Sequence, residues 1–298
     1  MSSTEPEVAD LDLQQRLALA ETAEAEFMHA FEAGAPPEAQ EALGMVQHRV
    51  AGGVVLAMAH DPTGGYWSKA LGFGVTEPVT ADLVAQVVDI YRSNGDAVGV
   101  LQVAPHALPE DWPDVVARHG LVQGSSWVKL LRPAALDPAP ARTDLRVGPV
   151  GPADADAWAR TFCTGFGMPE NPHLVAFFGA ATDGSGGFHP WAAWDGNRLV
   201  AAANLHVAGP AAAFCGAATL HEARERGAQS VFMVRRIEAA RALGATWLSA
   251  ETWKEGPQQH NPSLHNLRRA GFVDAYDRDN WLWRPGARPV RRARARRG

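Results

Sequence analysis

Seven consecutive residues, Arg224-Glu225-Arg226-Gly227-Ala228-Gln229-Ser230, stand between a strand-like run, Ala211 to Thr219, and a helix-like run, Ser230 to Leu243. A strand that turns through a glycine into a helix makes an anion site. The glycine lets the backbone approach closely, the first N–H groups of the helix lack internal partners, and the helix dipole places its positive end there. Arg224 and Arg226 add charge, so the junction can hold a pyrophosphate. Taken alone, the same residues also describe a charged turn capping a surface helix.

The elements that follow must position that loop. A helix with Met233, Ile237 and Ala240 on one face closes at Gly244, and a strand spans Thr246 to Thr252. A polar loop runs from Trp253 to Pro262, and a second helix, Ser263 to Ala270, ends in Gly271-Phe272. This order resembles the GNAT superfamily of N-acetyltransferases. The family's loop reads Arg or Gln, two residues, Gly, one residue, then Gly or Ala, and its last helix ends in Gly-Phe. Arg224 and Gly227 match that pattern, while Gln229 occupies the second small position and makes the loop bulkier. The resemblance covers about Arg146 to Pro285.

The resemblance implies acetyl-CoA as co-substrate, its diphosphate on Arg224, Glu225, Arg226, Gly227, Ala228, Gln229 and Ser230. The acetyl group would pass, by direct attack on the thioester, to the amine of a small molecule, amino acid derivative or peptide N-terminus. In the family the strand before the loop splays from its neighbour, and by resemblance the freed backbone groups belong to Ala217, Ala218 and Thr219. They would bond the pantetheine arm and the thioester oxygen. Ser263 and Asn266 share one face of the last helix and could bond the pantetheine amides, with an N-cap as the other role for Ser263. The tyrosine that members often use as general acid is replaced by Leu267, which leaves Tyr276 as the nearest substitute. The strand before the loop holds no carboxylate or histidine, so the candidate bases are Glu251 in the following strand and His206 in the preceding hairpin. Leu267 and Gln229 also fit a second reading, a GNAT-like protein that senses acyl-CoA. A relative using another acyl-CoA is a third.

Composition bounds these readings. The chain of 298 residues is 46% hydrophobic and 20% charged with net charge −6, as expected of a soluble globular protein of two domains. Met1 to Asp10 carries acids without a cationic start, and no eighteen apolar residues run together, so a cytoplasmic location without membrane contact is expected. Cys163 and Cys215 are too few for a disulfide framework. They read as small buried side chains, with Cys215 as an alternative nucleophile. His260 and His265, with His221, lack a carboxylate at ligand spacing, and no metal is expected. Arg284 to Arg297 reads as a disordered basic tail without interleaved aromatics, so no nucleic-acid partner is expected. The partner is then a small-molecule amine or peptide substrate, bound by a monomer or homodimer.

A weak internal repeat at an offset of about 150 residues sets the architecture. Trp127-Val128-Lys129-Leu130-Leu131-Arg132-Pro133 closes the first half as Trp281-Leu282-Trp283-Arg284-Pro285 closes the second, and Gly120-Leu121 answers Gly271-Phe272. The fold class expected is α/β, two tandem GNAT-like domains, each a mixed, mostly antiparallel sheet flanked by helices. Residues 1–132 form the first, 133–144 a Pro- and Ala-rich linker, 145–285 the second and 286–298 the tail. The first-half segment matching the Arg-Gly loop is Thr76-Glu77-Pro78-Val79, with no glycine or arginine, and Pro78 has no N–H to offer. Cofactor binding is therefore expected in the second half alone.

Overall fold

The computed structural model describes residues 12–286, so the acidic opening segment and the basic tail past Gly286 lie outside the described residues. The first half runs α1 (Leu13–Ala33), α2 (Pro37–Leu43), β1 (Met45–Val50), β2 (Gly53–Met58), β3 (Lys69–Leu71), α3 (Ala81–Asn94), β4 (Gly99–Gln102), α4 (Trp112–His119) and β5 (Val122–Pro133). The second runs β6 (Arg146–Pro149), α5 (Ala155–Gly165), α6 (Pro172–Gly179), β7 (Trp191–Asp195), β8 (Arg198–Ala203), β9 (His206–Ala208), β10 (Ala211–Ala213) and β11 (Ala217–Thr219). It ends with α7 (Ala228–Ala242), β12 (Trp247–Trp253), α8 (Pro262–Arg269) and β13 (Val273–Trp283). Helix starts follow local chemistry. Asp12 and Gln15 form a reciprocal capping box on α1, and the Thr80 hydroxyl accepts from the Leu83 N–H to cap α3.

The strands form a nine-stranded sheet, β1-β2-β3-β4-β13-β5-β12-β10-β9, and a four-stranded sheet, β11-β8-β7-β6. The order contains an exchange. β5, the last strand of the first half, lies between β13 and β12, and pairs antiparallel with β12 from Trp127 opposite Trp253 to Pro133 opposite Trp247. β13, the last strand of the second half, lies between β4 and β5, with Asn280 opposite Gln102 and Trp283 opposite Gly99. Each half therefore completes the other's sheet. Residues 133–144 are held against the second half: Arg241 donates to Ala134 and Leu136 carbonyls, and the Thr143 hydroxyl to the Arg226 carbonyl.

Helix α1 lies on the exchanged strands and packs on β2, β10 and β12. One apolar core joins the halves through it, because the Phe31 ring meets Trp67 of the first half at 5.9 Å and Phe178 of the second at 5.8 Å. The same helix buries Glu21 and Glu24, each 1% exposed, which is tolerable only with cations beside them. Those cations come from the exchanged strands. Among the described residues no helix is long and apolar enough to cross a membrane.

Candidate active site

The anion loop is built as a strained turn into an uncapped helix. Glu225 and Gly227 have φ of 64° and 84°. A Cβ on Gly227 would lie 2.2 Å from the Arg142 carbonyl oxygen, so only glycine fits that approach. No side chain caps α7, and its first internal bond runs from Val231 N–H to Gly227 O at 3.1 Å. That leaves the amides of Ala228, Gln229 and Ser230 for a ligand. Gln229, too large for its position by the family pattern, bends away to give its Nε2–H to Thr219 Oγ1 at 2.8 Å. The contrast with the first half is direct, since α3 is capped by Thr80 and Thr76 to Val79 line no part of the cavity described next.

The loop opens into a cavity of about 1160 Å³. Its middle is a gap between strands. The expected single strand from Ala211 to Thr219 is instead two: β10 pairs parallel with β12 up to Ala213 opposite Ser249, and β11 leaves to pair with β8 in the other sheet. The turn is made at Gly216, φ 95°, where a Cβ would stand 2.6 Å from the Phe162 ring. Arg236, buried on α7, holds the bend by donating to the Asn204 and Gly216 carbonyls at 3.1 and 3.3 Å. Beyond it, Ala217, Ala218 and Thr219 face Ala250, Glu251 and Thr252 across the cavity instead of pairing with them.

The Glu251 side chain stands in that gap. Its carboxylate accepts from Lys129 Nζ at 3.3 Å, and Lys129 also donates to Glu24 at 2.7 Å. Arg278 reaches Glu21 at 2.7 Å and also bonds Glu24, each side chain 1% exposed. Burial, then the Glu24 charge, push the Glu251 carboxyl up to about 7 against the opposing cations. Burial also favours the neutral form of Glu24, but Arg278, Lys129 and Lys69 overcome it and hold that carboxylate down to about 2. The network thus keeps Glu24 ionised and leaves Glu251 poised.

A phenol missed in the sequence shares the cavity. Tyr66, from the loop between β2 and β3, lines it beside Trp67 and Trp127, with the Lys69 ammonium 3.7 Å from its ring centroid. Tyr66 as a whole is 37% exposed, but desolvation of its hydroxyl within the cavity, with the Glu251 charge, raises that hydroxyl above the usual tyrosine value, so it remains a proton donor. The only sequence signal was an aromatic pair, Tyr66-Trp67, after Gly64-Gly65. Phe27, Met28 and Phe31 of α1 complete this apolar wall with Phe162 and Phe178.

The structure gathers Ala217, Ala218, Thr219, Arg224, Glu225, Gly227, Ala228, Gln229, Ser230, Glu251 and Asn266 around one cavity. Other expected residues sit elsewhere. Arg226 points to Asp144 and Asp195, bracing the loop with an ion pair of 2.7 Å to Asp195, and does not line the cavity. His206 lies on the edge strand β9 against Phe188, outside the lining, and burial pushes its imidazole down to about 4. Tyr276 follows a bulge in β13 that turns its hydroxyl onto the Glu21 carboxylate, also outside the lining. The N-cap of α8 is Asn261, whose side chain accepts from Ser263 N–H at 3.0 Å, which frees the Ser263 side chain to line the cavity. Cys215 lines it too, but burial holds the thiol protonated, well above its ordinary value. Cys163 is buried in the core, its thiol pushed up to about 11.

No protein-family model and no curated protein matches the chain. Solved structures do. A GCN5-related N-acetyltransferase from Kribbella flavida aligns over 90% of this chain and 96% of its own, with TM-score 0.53 and 18% identity. A tandem GNAT protein from the clavulanic acid biosynthesis pathway aligns over 95% and 98%, with TM-score 0.53 and 13% identity. A GCN5-related N-acetyltransferase from Sphaerobacter thermophilus covers 82% and 77%, with TM-score 0.55 and 12% identity. With the split strand and the uncapped helix in place, this likeness over nearly the whole length means that the chain carries the GCN5-related N-acetyltransferase fold in its tandem form.

Proposed function

We propose that the protein is an acetyl-CoA-dependent N-acetyltransferase acting on a small amine with an apolar body. The observation that carries this reading is a single cavity holding the uncapped start of α7, the gap between β11 and β12, and Glu251. The residues fit the co-substrate. The amides of Ala228 to Ser230 with Arg224 would hold its diphosphate, and the unpaired edge of β11, with Asn266, its pantetheine arm. Acetyl-CoA supplies the activated acyl group. Glu251, with its carboxyl near 7, takes the proton from the attacking amine directly or through water. Tyr66 stays protonated and can give its proton to the departing thiolate, the role for which Leu267 has no hydroxyl.

The acceptor end of the cavity is walled by Phe27, Phe31, Trp67, Trp127 and Phe178, and Glu251 is the carboxylate within reach of that wall. An amine with one cationic group and an apolar or aromatic body suits it. A polyamine or amino sugar would leave polar groups without partners. The test is calorimetry with acetyl-CoA, followed by a thiol-release assay over apolar amines, amino acid derivatives, peptides, polyamines and amino sugars. Binding with release on an apolar amine is the expected result. Binding without release on any amine would favour the acyl-CoA sensor, and no binding would end the coenzyme A reading altogether.

A further inference from the structure

We propose that Glu255, His260 and His265 form a binding site for a divalent transition-metal ion, Zn²⁺ foremost, beside the mouth of the cavity. The loop after β12 folds back onto the start of α8 and brings these side chains together. Glu255 Oε1 lies 3.5 Å from His260 Nδ1 and 3.0 Å from His265 Nε2. All three ligand atoms fall within 4.8 Å of one another. Zn²⁺ bonds of about 2.0–2.2 Å place tetrahedral ligand atoms about 3.3–3.6 Å apart, so two of the three separations already stand within a few tenths of an ångström of that edge.

The donor set has the right chemistry. Two imidazoles and one carboxylate leave a fourth position for water, and imidazole suits zinc, copper or nickel better than magnesium or calcium. The carboxylate is oriented beforehand. The Asn261 backbone N–H donates to Glu255 Oε1, while the Asn261 side chain is anchored by donating to the Trp253 carbonyl at 2.6 Å and Thr252 Oγ1 at 2.9 Å. The ligands are reachable, with side chains of Glu255, His260 and His265 that are 22%, 69% and 40% exposed. A bound ion would clamp the 253–261 loop to α8, and Trp253, Asn261, Pro262 and Ser263 line the cavity. The site would brace that wall, whatever reaction the cavity serves.

The experiment is calorimetric titration of the full chain with ZnCl₂ after chelator treatment, in a non-coordinating buffer. One saturating site is expected, weakened at least tenfold in His265→Ala and Glu255→Gln and unchanged in His173→Ala, a histidine on α6 outside the cluster. Zn²⁺ should also raise the melting temperature of the parent and leave that of His265→Ala where it was. His260→Ala, at an exposed position, serves if His265→Ala folds poorly. A parent that does not saturate, or cluster variants that titrate like the parent, would overturn the site.

Discussion

Glu251 and Tyr66 come from different halves of the chain, and the roles proposed for them rest on protonation states that the cavity imposes. Glu251, raised to about 7, is protonated below that pH and ionised above it, so the rate of acetyl transfer should climb as pH rises through about 7. Glu251→Gln should lower kcat/KM by about 10²–10⁴-fold and abolish that rising limb, as read by a pH–rate profile. Tyr66→Phe keeps the ring on Trp67 and Trp127 but removes the donor. It should lower kcat by about 10²-fold with little change in KM, and an unchanged kcat would remove Tyr66 from the mechanism. His206 could not be separated from Glu251 by sequence, because both read as strand-borne ionisable residues and only the sheet order puts one at an edge and the other in the gap.

At the scale of elements, the start of α7 is the feature to test. Replacing Gly227 would probe folding, since any Cβ there meets the Arg142 carbonyl. Ser230 is exposed in the first turn, where an acid suits the helix dipole. Ser230→Glu should therefore leave the melting temperature in place and weaken acetyl-CoA binding at least tenfold, about 1.4 kcal/mol, by setting a carboxylate against the diphosphate. Equal affinity for parent and variant would move the diphosphate away from this helix. The loop itself was legible in the sequence because a glycine before a helix acts over a few residues. The resemblance implied that the preceding strand splays, but not where it breaks, because Phe214-Cys215-Gly216 looks like strand until Phe162 and Arg236 come against it.

Across the whole molecule, the exchange of β5 and β13 makes each half depend on the other. Residues 134–298 expressed alone lack β5, leave the β12 edge bare and should not fold. The full chain should unfold in one transition, with tryptophan fluorescence and far-ultraviolet circular dichroism coinciding. Two well-separated transitions would mean that the halves are independent. Glu24 ties α1 to both exchanged strands, through Lys129 and Arg278. Glu24→Gln removes one charge from a buried cluster and should destabilise the chain by about 3–5 kcal/mol in urea unfolding. A loss under about 1 kcal/mol would mean that the network relaxes around the change.

Short-range chemistry in the sequence determined the order of helices and strands, the Arg-Gly loop and the likeness of the two halves, because each depends on neighbours a few residues apart. Which sheet each closing strand enters was decided by the tertiary structure alone. The runs from Trp127 to Pro133 and from Trp281 to Pro285 carry nearly the same pattern, which does not distinguish the half each one joins. The same holds for Tyr66 reaching Glu251's cavity and for Glu255 folding back between His260 and His265. Contacts across long stretches of chain are set by sheet order and loop path, which local periodicity does not encode.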